Sequence, residues 1–277
     1  SKQMTTDLNK KILIYTSISY GVTWLIAFGI YFLHLKGVIS NYQLNLYHSF
    51  AAIGPTIGAL ITSYFIYGKA GIRKLLSRIS PSRLDRKTIL FVTSPLLLFA
   101  LGIFIYAGIK SDWYSFENFA TSNWTSYRTL TVWLLPLLTY SIFEEIGWRG
   151  FLLPHLQQKY SAWTSTVLLT VIWALWHIPF FFYRFDFSLG ISIGFFFGIF
   201  VGSIILTYIY NSSKGFLLPA MTFHFLNNFC SEFDKEIIVA VLSTGFVFIA
   251  IFIYKKFGIL NLSKTDRQRN YFENEEK

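Results

Sequence analysis

The sequence predicts an all-α protein, a bundle of about eight transmembrane helices, from its composition and the spacing of its apolar stretches. Of its 277 residues, 53% are hydrophobic and only 14% are charged, whereas about one-quarter of the residues of a soluble domain are charged. The apolar residues form stretches of about 20, the length that a helix needs to cross a bilayer. Short connections between the stretches predict a single domain. The stretches are Ile12 to Leu35, Leu46 to Gly68, Thr88 to Ile109, Thr129 to Phe143, Ser161 to Tyr183, Phe187 to Tyr210, Phe216 to Phe233 and Ile237 to Tyr254.

The first stretch follows two lysines, as the core of a secretory signal does. Its 24 uncharged residues exceed the roughly 7–15 of a signal core, and no small-residue cleavage site follows, so we expect it to remain as a helix. We expect a transmembrane protease domain at 1–256, with its motifs in 129–233. The tail 257–277 is polar, and we expect it to be cytoplasmic and partly disordered.

Lysine and arginine are distributed unevenly between the two sides of this bundle. With a cytoplasmic N-terminus, 19 of the 24 basic residues fall inside, and the five outside are Lys36, Lys110, Arg128, Arg184 and Lys235. Cytoplasmic loops carry the excess of lysine and arginine, so both termini are predicted to be cytoplasmic. The net charge of +10 is concentrated in the loop Lys69 to Lys87 and near span ends, which favours anionic lipids over nucleic acid as a partner.

Ionisable groups inside apolar stretches cost at least roughly 2.5–3.5 kcal/mol each and therefore need a partner or a function. The first such cluster is Glu144, Glu145 and Arg149. On a helix Glu145 and Arg149 share a face, whereas Glu144 points about 100° away. The alternative is a cytoplasmic helix end with solvated carboxylates. The stretch from Thr129 is too short to reach water unless its helix continues through Glu145, so we expect the carboxylates at the inner edge of the bilayer.

Two further clusters complete a candidate site. His177 precedes Pro179, which breaks or kinks a helix and opens space beside the imidazole; the alternative is a histidine that caps the broken turn. His224 and Asn228 are four residues apart and can both donate hydrogen bonds to one point; the alternative is a pair that joins helices. Together the clusters offer groups that hold and deprotonate water and stabilise an oxyanion, as a hydrolase requires.

Other motifs are interpreted as structural. The run Gly190 to Gly194 matches the G-x-S-x-G pattern of serine hydrolases, but it lies within a helical stretch rather than at a strand-to-helix turn. Glycines recur at every fourth position there, which predicts close packing of another helix. The members of this glycine stripe are Gly190, Gly194, Gly198 and Gly202. The remaining histidines, predicted to lie at the membrane interface, are His34, His48 and His155.

The motifs E-E-x-x-x-R, aromatic-x-x-x-H and H-x-x-x-N, in this order between about Leu130 and Asn228, resemble the CAAX prenyl protease and bacteriocin-processing (Abi) family. That family includes the Ras-converting endopeptidases. The resemblance implies that Glu144 and His177 activate the attacking water. It also implies that His224 and Asn228 form an oxyanion hole, and that Glu145 and Arg149 shape the site and meet the carboxyl end of the peptide. One departure is Trp173, where phenylalanine is commoner.

The sequence therefore predicts a multi-pass intramembrane endopeptidase of the cell membrane. From the resemblance, its substrate is a prenylated CAAX-type protein that loses a C-terminal tripeptide. The positive-inside assignment puts the cleavage near the cytoplasmic face. No cofactor is favoured, because the sequence has no H-E-x-x-H motif. A zinc enzyme is an alternative, because Glu144, His177 and His224 have the ligand types of a His₂Glu site. A proton-coupled transporter that uses the same groups as a relay is another.

Overall fold

The computed structural model describes residues 2–81, 83–117, 126–185, 188–269 and 271–272, and every regular element in these ranges is helical. The helices are α1 (Lys2–Leu35), α2 (Asn41–Ala51), α3 (Ile53–Ser77), α4 (Arg86–Lys110), α5 (Tyr127–Gly147), α6 (Leu153–Lys159), α7 (Ala162–Trp176), α8 (Leu189–Ser212), α9 (Leu218–Cys230) and α10 (Ile237–Asn261). A π-helical turn (Trp148–Leu152) joins α5 to α6, and a 3₁₀ turn (Ile178–Phe182) follows α7.

Seven helical segments among the described residues are long and apolar enough to cross a membrane. The chain is thus a polytopic helical membrane protein, which confirms the predicted fold class. The seven segments are Asp7–Leu35, Asn41–Ser77, Arg86–Lys110, Tyr127–Lys159, Ala162–Phe182, Ser192–Ser212 and Ile237–Asn261.

The stretch Phe216 to Phe233, predicted as a further span, contains the short helix α9. Its 13 residues have a length of about 20 Å at 1.5 Å per residue, less than the roughly 30 Å of the hydrocarbon core. Helix α9 therefore enters the bundle without crossing it.

The fourth span is longer than the sequence predicts. Helix α5 does not end near Phe143 but leads through the π-helical turn into α6, giving one candidate span of 33 residues that ends at Lys159. Glu144 and Glu145 consequently lie close to the middle of this span rather than at its cytoplasmic end.

Helix α5 packs closely on its neighbours at Gly147. A Cβ atom at this position would collide with Pro55 of α3 and would lie 2.6 Å from the hydroxyl of Tyr15 on α1. Only glycine allows this approach. It brings the helix that carries the two glutamates against the first and third helices.

The bundle has two chemically different ends. At one end the α3–α4 connection touches the α8–α9 connection, where the amide of Leu217 donates to the carbonyl of Arg78 over 2.9 Å. The loop Lys69 to Lys87 lies here, and we call this the basic end. At the other end the Tyr31 ring stacks on Tyr183, with centroids 5.7 Å apart. We call this the opposite end.

The chain after α10 packs on the basic end. Tyr271 is buried, and its hydroxyl donates to the carbonyl of Gly150 in the π-helical turn over 2.6 Å. The ring of Phe272 stacks on Tyr67 with a centroid distance of 4.9 Å. The polar composition of 257–277 predicts partial disorder, but these two aromatic side chains anchor the described part of the segment. Residues 270 and 273–277 lie outside the described residues.

Candidate active site

Glu144 projects from the last turn of α5 and is almost completely buried, with 1% of its surface exposed. Its Oε2 accepts a hydrogen bond from the indole nitrogen of Trp148, one turn further along, over 3.1 Å. The indole nitrogen of Trp173 on α7 donates to the same oxygen. Among the described residues both donors act on Oε2, so Oε1 is available to a water molecule or a substrate.

Glu145 faces a different neighbour, as the helical geometry predicts. Its Oε1 accepts from Arg149 Nη1 over 3.1 Å and from His224 Nδ1 over 2.8 Å. The Arg149 guanidinium is fully buried and lies over the ring of Trp173, with its carbon 4.4 Å from the centroid. Glu145 Oε2 and two of the Arg149 nitrogens, Nε and Nη2, have no hydrogen-bond partner among the described residues. This buried pair joins α5 to α9 through His224.

His177 lies where α7 ends, as the nearby Pro179 predicts. Its Nδ1 is 2.8 Å from the carbonyl oxygen of Trp173 and donates to it. His177 therefore caps the broken helix turn, as the alternative interpretation predicts. Its second ring nitrogen, Nε2, remains a hydrogen-bond acceptor. One histidine can cap the broken helix and still present a lone pair to the site.

Helix α9 presents His224 and Asn228 to the same space. His224 is buried and is oriented by Glu145, whereas Asn228 is half-buried. The side-chain nitrogen of Asn227 lies 3.5 Å from Asn228 Oδ1, an arrangement that leaves the Asn228 amide nitrogen free to act as a donor. The amide and the imidazole lie one helical turn apart.

A cavity of about 740 Å³ brings these groups together, within the range of about 300–1,000 Å³ that is usual for ligand pockets. The four predicted catalytic residues, Glu144, His177, His224 and Asn228, all line it. Glu145 and Arg149 are not among its lining residues and lie behind them. Aromatic side chains form much of the remaining wall, which includes Trp133, Phe180, Phe185, Phe195, Phe197 and Phe246.

His48 also lines the cavity, although the sequence predicts an interfacial position for it. It is buried at 3% exposure, and its Nδ1 lies 2.8 Å from the hydroxyl of Tyr183. Its ring stacks on Tyr140. Both partners are far away in sequence, so no helical spacing reveals them. His155 is buried as well, with Nδ1 2.6 Å from the carbonyl of Phe151.

The glycine stripe of α8 is not a packing surface for another helix, contrary to the prediction. Apart from the adjoining backbone of α8 and the chain neighbours, no described atom lies within 4 Å of a Cβ built on any of its four glycines. Three of them, Gly194, Gly198 and Gly202, line the cavity instead. Their missing side chains provide room in the cavity.

The zinc alternative depends on the placement of its three candidate ligands. Among the described ranges, no group of three or more His, Cys, Asp or Glu side chains is placed to hold a metal ion. The imidazoles of His177 and His224 each direct Nδ1 to a protein oxygen, so only their Nε2 atoms are available to a metal or to water.

The fold and the site define the class of this protein: a helical membrane protein with a carboxylate, two imidazoles and an amide around an internal cavity. Residues 126–230 match the family described as type II CAAX prenyl endopeptidase Rce1-like. The chain is also 33% identical over 158 residues to CAAX prenyl protease 2 of Methanococcus maripaludis. That alignment covers 51% of this chain and 57% of the relative.

The chain thus spans little more than half the length of this relative. The matched family segment contains every residue of the three motifs, from Glu144 to Asn228. The resemblance to the CAAX prenyl protease family is therefore confirmed for the stretch that carries it.

Proposed function

We propose that this protein is an intramembrane endopeptidase in which Glu144 and His177 activate a water molecule. The observation that carries the proposal is the shared cavity: a carboxylate, two imidazoles and a carboxamide from three separate helical segments line it together. The match of residues 126–230 to a peptidase family supports it.

The first step is attack on the scissile carbonyl. A water molecule between Glu144 Oε1 and His177 Nε2 gives one proton to the carboxylate as its oxygen bonds to the carbonyl carbon. The two indole donors hold Oε2 of Glu144 in place, so the other oxygen is positioned as the general base.

The second step is collapse of the tetrahedral intermediate. Its oxyanion accepts hydrogen bonds from the Asn228 amide and from Nε2–H of a doubly protonated His224, whose Nδ1–H faces the Glu145 carboxylate. The C–N bond then breaks, and the proton held by Glu144 moves to the departing amine. Each proton and electron pair is accounted for without a further reagent.

The substrate class follows from the family. A prenylated CAAX-type peptide that loses its last three residues is the substrate to test first, since the relative from Methanococcus maripaludis is named a CAAX prenyl protease. The aromatic wall formed by Phe185, Phe195 and Phe197 suits an isoprenoid or another apolar chain. The basic loop Lys69 to Lys87 suits anionic lipid headgroups.

The proposal is tested with purified protein in detergent and a farnesylated CAAX peptide, with mass spectrometry of the products. We expect the wild type to release a tripeptide, and Glu144→Ala to release none while it elutes and unfolds as the wild type does. Full residual cleavage by this variant would remove Glu144 from the mechanism.

Activity in the presence of a metal chelator distinguishes hydrolysis by a water molecule activated by Glu144 and His177 from zinc-dependent hydrolysis. The water mechanism predicts that cleavage persists in excess chelator and that metal analysis of the active protein finds no stoichiometric zinc. Loss of activity that added zinc restores would instead assign Glu144, His177 and His224 as ligands.

The sequence predicts a site toward the cytoplasm, because the positive-inside distribution of lysine and arginine puts the end of the fourth stretch on that side. The fourth span continues to Lys159, so the two glutamates lie near its middle. The side from which the site is reached stays a prediction.

A further inference from the structure

The wall of the cavity carries very little charge. Among its described lining residues, Glu144 and Glu232 are the acidic side chains, and Arg184 is the single lysine or arginine. Glu232 faces the ammonium group of Lys235, with 3.7 Å between Oε1 and Nζ. The guanidinium of Arg184 is therefore the positive charge on this wall that a substrate in the cavity can meet.

Arg184 is presented to the cavity by the short segment that follows α7. Its backbone N–H donates to the carbonyl of Phe180 in the 3₁₀ turn over 2.7 Å. Its Nη1 donates to Oδ1 of Asn45 on α2, also over 2.7 Å. In the part of the chain that the structure describes, this guanidinium has no second hydrogen-bond partner. The protein thus orients one side of the group, and the remaining N–H donors are available to a ligand.

A short row of rings connects Arg184 with the carboxylate of Glu144. Tyr140 lies one helical turn before Glu144 on α5, and its ring stacks on His48 with centroids 5.1 Å apart. His48 in turn contacts Tyr183, the residue before Arg184, with a centroid distance of 5.5 Å. Tyr140, His48 and Arg184 all line the cavity. The proposed general base and the guanidinium are therefore separated by two ring contacts along one wall.

A tripeptide leaving group has a length that matches this separation. The proposed reaction cuts the chain three residues before its end, so that the free carboxylate lies three residues beyond the carbonyl that is attacked. Three extended residues span about 10 Å, at roughly 3.3–3.6 Å each. A guanidinium binds a carboxylate through two parallel N–H···O bonds, a geometry that lysine lacks. The carboxyl end of a bound substrate can thus meet Arg184 while the scissile bond lies at Glu144.

The other arginine near the site is less accessible. Arg149, which by the resemblance meets the carboxyl end of the peptide, is fully buried and is not a lining residue. It lies over the ring of Trp173 and donates to Glu145. A carboxylate in the cavity would have to displace Trp173 to reach it, whereas Arg184 is exposed.

We propose that Arg184 binds the free carboxylate at the carboxyl end of the substrate and so selects chains that end three residues after the scissile bond. The proposal rests on the proposed peptidase function and adds a specificity-determining residue to it. A lipid phosphate is another anion that could occupy the same guanidinium. In that case, cleavage would not depend on the end group of the peptide.

Two farnesylated CAAX peptides test the proposal, one with a free carboxylate at its end and one with a carboxamide. The full chain is purified in detergent and its steady-state kinetics are measured with each. We expect a kcat/KM for the acid roughly 10-fold above that for the amide, because the amide loses a hydrogen-bonded ion pair. The difference should lie mainly in KM, because Arg184 does not touch the reacting atoms.

Three variants show whether Arg184 causes this preference. Arg184→Gln should abolish the preference, and Arg184→Lys, which keeps the charge without the paired geometry, should have an intermediate one. Arg128→Gln is the matched control and should keep the wild-type preference. Arg128 is exposed and also contacts α2, through the ring of Tyr42, but it is not a lining residue.

Two kinetic results would overturn the proposal. One is a wild type that cleaves the acid and the amide equally well, or an Arg184→Gln variant that keeps the preference for the acid. The other is an equal loss on both peptides in Arg184→Gln, which would assign the arginine to a lipid headgroup or to the fold.

Peptide binding gives a readout that does not require cleavage. Fluorescence anisotropy measures the affinity of both labelled peptides for the Glu144→Ala protein. We expect tighter binding of the acid, and equal affinities once Arg184→Gln is added. Equal affinities before that change would overturn the proposal. If the wild type cleaves neither peptide, the proposed function fails, and the anisotropy still decides whether Arg184 binds the carboxylate.

Discussion

The indole nitrogen of Trp173 donates to the carboxylate of Glu144 although the two residues are 29 positions apart. At this position phenylalanine is commoner in the family that the chain resembles, and phenylalanine has no such donor. The tryptophan therefore gives this chain an additional hydrogen bond to the carboxylate proposed as the general base.

Trp173→Phe keeps an aromatic ring and removes the donor. A hydrogen bond to a charged group contributes about 1.5–3 kcal/mol, so we expect kcat to fall roughly 10-fold or more, since each 1.4 kcal/mol is tenfold in rate. KM should change little, because the wall of the cavity keeps its shape. Steady-state kinetics with the CAAX peptide measures both.

Two variants make this comparison specific. Trp148→Phe removes the other donor to Glu144 and should act in the same direction, whereas Trp113→Phe at an exposed position should leave kcat unchanged. An unchanged kcat in Trp173→Phe would mean that Trp148 alone orients the carboxylate.

The buried ion pair of Glu145 and Arg149 is expected to stabilise the folded protein. Glu145→Gln leaves the Arg149 charge buried without its partner, and breaking such a pair costs about 3–5 kcal/mol. We expect a large decrease in the unfolding temperature in detergent. Lys235→Gln is the matched control, because its ion pair with Glu232 is exposed at 3.7 Å and such pairs contribute about 0–1 kcal/mol. Equal unfolding temperatures for the two variants would contradict a structural role for Glu145.

Substitutions at two glycines distinguish the effect of helix packing on stability from the effect of cavity volume on substrate binding. Gly147→Ala forces a methyl group against Pro55 and Tyr15, and such overpacking costs about 1–3 kcal/mol. Gly198→Leu extends into the cavity, where no described atom lies within 4 Å of a Cβ. We expect Gly147→Ala to lower the unfolding temperature, and Gly198→Leu to raise KM at least several-fold with an unchanged unfolding temperature. A destabilised Gly198→Leu protein would show that the stripe packs against a helix after all.

Asp85, the residue that caps the N-terminus of α4, makes a pH-dependent contribution to the free energy of unfolding. The pKa of Asp85 is lowered, chiefly because the Thr88 hydroxyl and then its backbone N–H donate to the carboxylate. A lowered folded pKa gives stability that is fully present above the ordinary carboxyl value of about 4 and is lost as the pH falls through the lowered value. A cap of this kind contributes about 1 kcal/mol.

Asp85→Asn keeps a capping oxygen that does not titrate. The difference in unfolding free energy between wild type and Asp85→Asn should therefore change by up to about 1 kcal/mol between pH 6 and pH 3, in the direction that favours the variant at low pH. A difference that stays constant would indicate that the carboxylate does not cap α4.

Local spacing was sufficient to predict which side chains of the candidate site share a helical face. Glu145 and Arg149, like His224 and Asn228, are four residues apart on one helix, and the structure keeps each pair on one face. The break at Pro179 follows from proline chemistry alone. Most spans follow from apolar length, because a bilayer allows few alternatives to the helix.

Other features depend on contacts that the sequence does not encode locally. The donation from Trp173 to Glu144 and the position of His48 depend on how α2, α5 and α7 pack. The glycine stripe has the same sequence pattern whether another helix or an empty cavity lies beside it. The π-helical turn leaves no recognisable signal, so the fourth span was predicted to be too short and the site too close to its end.

The anchored chain after α10 has a practical consequence for recombinant work. The Tyr271 hydroxyl donates to the carbonyl of Gly150 in the π-helical turn. Gly150 lies three residues after Gly147, the close contact on the helix that carries Glu144. A purification tag or fluorescent protein fused directly after Phe272 would pull on this hydrogen bond and weaken it. Vectors that place the tag ahead of α1, or that insert a long flexible spacer, should yield more active enzyme than a direct carboxyl-terminal fusion.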